Sequence, residues 1–174
     1  MTTSHWRRVV ACTGLGLVGL LVSMASPVAA AGNQSLHGTF RETAIGARLG
    51  YNISGSAKLT ISSDTSTAKV NVAGLDESKT YGSHLHNGTC AIPILGGGHY
   101  RNNVSGPAVP PNELWLSSTA NPVGGLVPNN GGVAHGDGSF PWAARTASPT
   151  LTNARSIVVH EPISGARIAC ADLS

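Results

Sequence analysis

Short alternating segments are the feature that most constrains the fold of this 174-residue chain. After an apolar N-terminal stretch, no long segment repeats its apolar residues with the 3.6-residue period of an amphipathic helix. Short runs that alternate apolar and polar residues appear instead, separated by turn-forming residues. Strands are predicted over 35–41, 57–61, 68–72, 80–86, 132–134, 140–144, 156–160 and 166–171. Strands at such short spacing are typical of an antiparallel all-β sandwich or barrel.

The middle of the chain departs from this pattern. From 91 to 130 the sequence is rich in Pro, Gly and Asn, and the alternation is lost. Long irregular loops inside a domain are uncommon and usually functional or disordered. An ordered but irregular loop is predicted here, with Trp115 as a packing residue. Beyond this loop, Gly136-Asp137-Gly138 predicts a hairpin turn, and His135 is expected to belong to that turn rather than to a metal site.

The first 31 residues predict a signal peptide. Arg7 and Arg8 precede an apolar, uncharged stretch, and the small residues at 28–31 suit a cleavage site. The remaining residues, 32–174, are enough for one domain with a sizeable core. We therefore expect a secreted, periplasmic or otherwise extracytoplasmic protein with no stable membrane anchor after cleavage. An uncleaved membrane anchor is the alternative.

Removal of the signal peptide changes both the charge and the cysteine count. It leaves nine Lys and Arg residues against eight acidic ones. There is no basic run with interleaved aromatic residues, so no nucleic-acid partner is expected. Cys12 is also removed, and Cys90 and Cys170 are expected to form a disulfide in an oxidising compartment. The chain-entropy model gives so long a loop a stabilisation of roughly 4–5 kcal/mol.

An H-x-H pair is the most informative motif in the chain. His84 and His86 lie in the predicted strand 80–86, and alternate residues of a strand point to the same side. Their spacing therefore suits two ligands of one transition metal, and imidazole suits copper and zinc. An H-x-H pair alone is a weak signal. Two further histidines strengthen the interpretation as a metal site: His99, which follows a glycine-rich run, and His160, which ends another predicted strand.

Taken together, these motifs resemble the copper/zinc superoxide dismutase family. The matching segments are His84-Leu85-His86, Gly98-His99-Tyr100, Ile157-Val158-Val159-His160-Glu161 and Gly165-Ala166-Arg167-Ile168-Ala169-Cys170. The resemblance extends from about residue 35 to the C-terminus and is weak in the middle. It implies a flattened Greek-key β-barrel with long irregular loops, which agrees with the predicted strands.

The resemblance also implies a site and an activity. Four histidines match the copper ligands of the family: His84, His86, His99 and His160. Arg167 matches the arginine that guides and holds the superoxide anion beside the metal. Cys90 and Cys170 match a disulfide that ties the loop after the H-x-H strand to the last strand. The implied reaction converts superoxide to oxygen and hydrogen peroxide while copper alternates between Cu(II) and Cu(I).

The chain departs from the family pattern at two places. The family's zinc site uses the bridging histidine, here His99, with two further histidines and an aspartate that follow it. Between Tyr100 and Ala134 this chain has no histidine, and Glu113 is the only acid. The charged loop before the arginine is reduced to 161–166. Both departures resemble the copper-only branch of the family, so copper is the expected cofactor and zinc is not.

Without zinc, the second ring nitrogen of His99 needs another partner, because outer hydrogen bonds fix the orientation of a metal ligand. Glu113 is the predicted partner, and a solvated loop glutamate is the alternative.

Two other functions are also open. One is an extracytoplasmic copper-binding or copper-buffering protein on the same scaffold, although Arg167 argues against it because storage needs no anion guide. The other is a metal-free β-barrel binding module. The sequence selects no oligomeric state.

Overall fold

The computed structural model describes residues 33–93, 95–118, 124–140 and 154–174. Seven strands and one short helix occur there, in chain order β1 Gln34–Glu42, α1 Ala44–Arg48, β2 Ser54–Ile61, β3 Ser66–Ala73, β4 Gly82–His86, β5 Ala134–Phe140, β6 Ser156–His160 and β7 Arg167–Asp172. These residues all belong to one compact unit, Ala31–Ser174. The predicted signal peptide and the residues 141–144 of a predicted strand lie outside the described residues.

The strands form one curled antiparallel sheet in the order β4-β6-β7-β1-β2-β3-β5. The curl makes a half-barrel, so the all-β prediction is confirmed. The connection that contains α1 joins β1 to its neighbour β2, and the short turn 62–65 joins β2 to β3. The connection 74–81 then carries the chain to the opposite edge of the sheet, where β4 lies. Long connections of this kind distinguish a Greek-key arrangement from a simple meander.

The irregular segment 113–118 lies between the two edge strands of the sheet. On one side, Leu116 N donates to Ser83 O of β4 at 2.8 Å. On the other side, Ser117 and Asp137 of β5 exchange two backbone hydrogen bonds of 3.0 Å. Unpaired edge strands leave backbone groups without partners. This segment satisfies such groups on both edges, and its own position is therefore fixed by the sheet.

The burial pattern differs between the two halves of the sheet. In β2 and β3 burial alternates: Leu59, Ile61, Val70 and Val72 are buried, and the residues between them are exposed or half-buried. This alternation is typical of an antiparallel sheet with one face in water. In β4, β6 and β7 nearly every residue is buried. The H-x-H strand, β4, is therefore placed in the interior.

The disulfide predicted between Cys90 and Cys170 is present, with Cα atoms 5.7 Å apart. It links the loop that follows β4 to the middle of β7. A stable disulfide is typical of proteins outside the reducing cytosol, which is consistent with an extracytoplasmic location. Within the described ranges, no helix is long and apolar enough to span a bilayer.

The hairpin turn predicted at 136–138 is wrong, because these residues form the middle of β5. Glycine at position 136 allows the Leu126 side chain to pack closely against β5, because a Cβ on Gly136 would clash with Leu126 Cδ2. Glycine inside a strand often marks such a close approach. His135 is consequently not a turn residue. It is exposed on β5, opposite Asn71 of β3.

Candidate metal centre

Four imidazoles converge beside the end of β4. One ring nitrogen from each lies within 4.8 Å of the others, in the group His84, His86, His99 and His160. His84 is the central ring, with centroid distances of 4.8 Å to His86, 4.0 Å to His99 and 4.6 Å to His160. β4 supplies the first two, and β6, which pairs with β4, supplies His160 at its end. His99 comes from the loop and pairs with His86 through an isolated bridge.

Backbone carbonyls determine which nitrogen of His86 and His160 is free. Nδ1 of His86 lies 3.4 Å from Gly97 O. Nδ1 of His160 lies 2.9 Å from Gly165 O. A carbonyl only accepts, so both Nδ1 atoms carry the proton and both Nε2 atoms keep a lone pair. The two Nε2 atoms lie 3.3 Å apart, and a cation bound by both would remove the repulsion of their lone pairs.

His84 presents the opposite ring nitrogen. Its side chain is buried, and Nδ1 has no hydrogen-bond partner among the described residues. A buried polar atom without a partner costs about 1–3 kcal/mol and is rare in native proteins. A metal ion satisfies such a lone pair. The His84 Nδ1 atom and the facing Nε2 pair therefore fit a bound metal ion.

Burial keeps three of the four imidazoles in the form that binds metals. It lowers the pKa of His86 to about 3 and also lowers the pKa of His84 and of His160, and the neighbouring imidazoles and Arg167 add to the effect. Neutral imidazole is the ligand form. The His99 side chain is 26% exposed and His160 is half-buried. The cluster is therefore open to solvent on the side of these two residues.

Glu113 receives three hydrogen bonds in the interior. Oε1 accepts from His99 Nδ1 at 2.7 Å and from Arg101 Nε at 3.0 Å. Oε2 accepts from Trp115 Nε1 at 2.8 Å. Burial alone would raise the pKa of this carboxyl, but the bonds from Trp115, His99 and Arg101 hold the pKa below its usual range. The predicted contact with His99 is present, and the alternative of a solvated glutamate is wrong because the side chain is fully buried.

Arg167 lies beside the cluster at the start of β7, opposite His160. Its Nη1 donates to Leu95 O at 3.0 Å and its Nη2 donates to Gly97 O at 2.7 Å. Gly97 O is also the carbonyl that faces His86 Nδ1. The Gly97 carbonyl thus holds both His86 and the guanidinium of Arg167. A positive charge held beside a half-open cluster attracts anions.

A short, internally bonded turn joins His160 to Arg167. Glu161 Oε2 accepts from Ile163 N at 3.0 Å and from Ser164 N at 2.7 Å. The Glu161 backbone N–H donates to Ala166 O at 2.8 Å. These bonds give the shortened loop a fixed shape. That shape keeps the Gly165 carbonyl in position for His160.

Two residues of the site were not predicted from the sequence, Arg101 and Trp115. A signal for them exists, because alternate residues of an extended segment share a side: Trp115 stands two residues after Glu113, and Arg101 two after His99. Trp115 does pack, as predicted, but its indole also donates to a carboxylate. His135 lies outside the four-histidine group.

Comparison with known proteins assigns no family to the chain. No protein-family model matches it, and no curated protein matches it significantly. The residues of the four-histidine centre, with their partners and exposure, are therefore the basis on which a function is proposed.

Proposed function

We propose that the protein is an exported superoxide dismutase whose copper ion is bound by the four clustered histidines. The observation that carries the proposal is the donor set: four imidazole rings whose nitrogens converge within 4.8 Å, beside an arginine. Imidazole suits copper, and copper binds most tightly among the divalent first-row metals. The sequence motifs that resemble the copper/zinc superoxide dismutase family support the same function.

The surroundings of His99 favour a single metal. Its Nδ1 atom is bonded to the buried Glu113 carboxylate and is therefore not available to a second metal. A structural zinc takes four protein ligands, and the part of the chain that the structure describes contains no second group of three or more metal-binding side chains. We therefore propose copper without zinc, as in the copper-only branch of the family.

The chain's own residues bind and orient an anion at this centre. When bound, copper supplies the one-electron redox chemistry that converts two superoxide ions and two protons to oxygen and hydrogen peroxide. Arg167 attracts superoxide to the open side near His99 and His160, because a fixed positive charge stabilises an anion in a partly desolvated site. The carbonyl bonds of His86 and His160 and the carboxylate bond of His99 prevent these rings from turning.

Substitution of Arg167 by glutamine separates anion recognition from metal binding. We expect kcat/KM for superoxide to fall about 10- to 100-fold at low ionic strength, since electrostatic guidance of this kind contributes 10- to 1,000-fold. Copper content should stay unchanged because Arg167 is not a ligand. Stopped-flow assays of the copper-loaded proteins at several salt concentrations measure this, and the variant should also lose most of its salt dependence.

Arg48→Gln is the matched control, because it removes the same charge from the last turn of α1 and should leave the rate unchanged. An unchanged rate in Arg167→Gln would contradict the role assigned to Arg167. Negligible turnover by the copper-loaded wild-type protein would contradict the dismutase itself. That result would favour an extracytoplasmic copper-binding or copper-buffering protein, which needs the four histidines but no anion guide.

A further inference from the structure

We propose that Trp115 is a positioning residue of the metal centre, which orients the candidate ligands His84 and His99 through two separate contacts. The inference rests on the proposed function, because it concerns the same four histidines. It adds a residue that lies outside the four-histidine group and acts through its neighbours. Two side-chain contacts and the backbone environment of Trp115 support it.

The first contact is with the ring of His84. The Trp115 and His84 rings have centroids 5.1 Å apart and an interplanar angle of 38°, and the two residues also form an isolated backbone bridge. Nδ1 of His84 has no hydrogen-bond partner among the described residues. No hydrogen bond at that atom therefore sets the rotation of the ring. Packing against the indole of Trp115 restricts the rotation of the His84 ring on one side.

The second contact reaches His99 through a carboxylate. The indole has a single N–H, and it donates to Glu113 Oε2 at 2.8 Å. Oε1 of the same carboxylate holds His99 Nδ1. Because Glu113 is buried, loss of the indole donor leaves Oε2 without its partner, which is unfavourable. The carboxylate is then held only through Oε1, by His99 and Arg101, and the orientation of His99 is fixed less firmly.

The backbone of Trp115 is held firmly enough for this role. Its neighbours Leu114 and Leu116 are fully buried. Leu85 N donates to Leu114 O at 3.1 Å, and Leu116 N donates to Ser83 O at 2.8 Å. Trp115 therefore sits in a segment bonded directly to β4, the strand that carries two of the ligands. A positioning side chain whose backbone is bonded to a strand holds ligands more precisely than one on a free loop.

The test is a pair of substitutions with Cu(II) itself as the probe. Trp115→Phe keeps an aromatic ring against His84 but removes the N–H, whereas Trp115→Leu removes both contacts. Outer-shell partners of metal ligands typically change metal affinity 10- to 100-fold. We expect the Cu(II) dissociation constant of the disulfide-bonded protein, from chelator competition, to rise about 10-fold in Trp115→Phe and further in Trp115→Leu. The electron paramagnetic resonance parameters of bound Cu(II) should shift in both variants.

Phe40→Leu is the control, because Phe40 is buried in the core on β1 and lies outside the histidine cluster. It should lower stability without changing Cu(II) affinity or the spectrum. Wild-type affinity and spectrum in both folded Trp115 variants would overturn the positioning role of Trp115 while leaving the dismutase proposal intact. Equal losses in Trp115→Leu and Phe40→Leu would also overturn it, since they would mark general destabilisation. A wild-type protein that binds no copper would overturn both proposals.

Discussion

Replacement of His160 by alanine is expected to abolish superoxide dismutation and to weaken copper binding sharply. His160 Nε2 faces His86 Nε2 at 3.3 Å, so the substitution removes one of two directly opposed donors. It also deletes a ring held in place by the Gly165 carbonyl. The loss of affinity should exceed the roughly 10- to 100-fold typical of outer-shell changes. Copper affinity by chelator competition, and superoxide removal at saturating copper, measure the two effects separately.

His135→Ala is the control for this experiment. It removes an imidazole that is exposed on β5 and lies outside the four-histidine group. Activity and copper affinity should both stay at wild-type values. Substantial dismutation by His160→Ala would exclude the four-histidine centre as the catalytic site.

Removal of the Cys90–Cys170 bond by substitution of both cysteines with alanine should lower the free energy of unfolding by about 4 kcal/mol. The bond closes a loop with a sequence separation of 80 residues, and long loops give large entropic effects in the unfolded chain. The bond also tethers the segment that carries the Leu95 and Gly97 carbonyls, which hold Arg167. We therefore expect reduced activity in any folded variant. Denaturant unfolding monitored by circular dichroism measures the stability change.

The wild-type protein treated with a thiol reductant is the comparison for the cysteine variant. Its stability should fall to that of the variant, and the same reductant should leave the variant unchanged. A stability change below about 1 kcal/mol would mean that native-state strain offsets the entropic term.

Strand positions were the most predictable part of the fold. The segment predicted at 156–160 is a strand in the structure, and the first three predicted strands lie within β1, β2 and β3, whereas the strand predicted at 132–134 reaches β5 only at its last residue. Burial of one face imposes the period of two that the sequence displays. The failure at Gly136 has a physical reason. A Gly-Asp-Gly sequence favours a turn locally, but here the glycine is needed because Leu126 approaches the strand, and only tertiary packing shows this.

The side chains of the candidate centre were predictable, but the groups that orient them were largely not. His84 and His86 follow from strand alternation, and Glu113 was the only carboxylate in its loop. The carbonyls of Gly97 and Gly165 carry no side-chain signature. Their positions depend on loop conformations that the sequence pattern does not specify. Arg101 and Trp115 have only the weak signal of their two-residue spacing from His99 and Glu113, and their bonds to Glu113 depend on the same loop conformations.

The most direct test of the copper-dismutase account is a paired measurement on the disulfide-bonded protein. Copper and zinc are determined per chain after exposure to both metals, and superoxide removal is assayed on the same sample before and after chelation. The account predicts one copper ion, little zinc, and rapid superoxide removal that disappears with the copper. A full complement of zinc, or bound copper without superoxide removal, would contradict it.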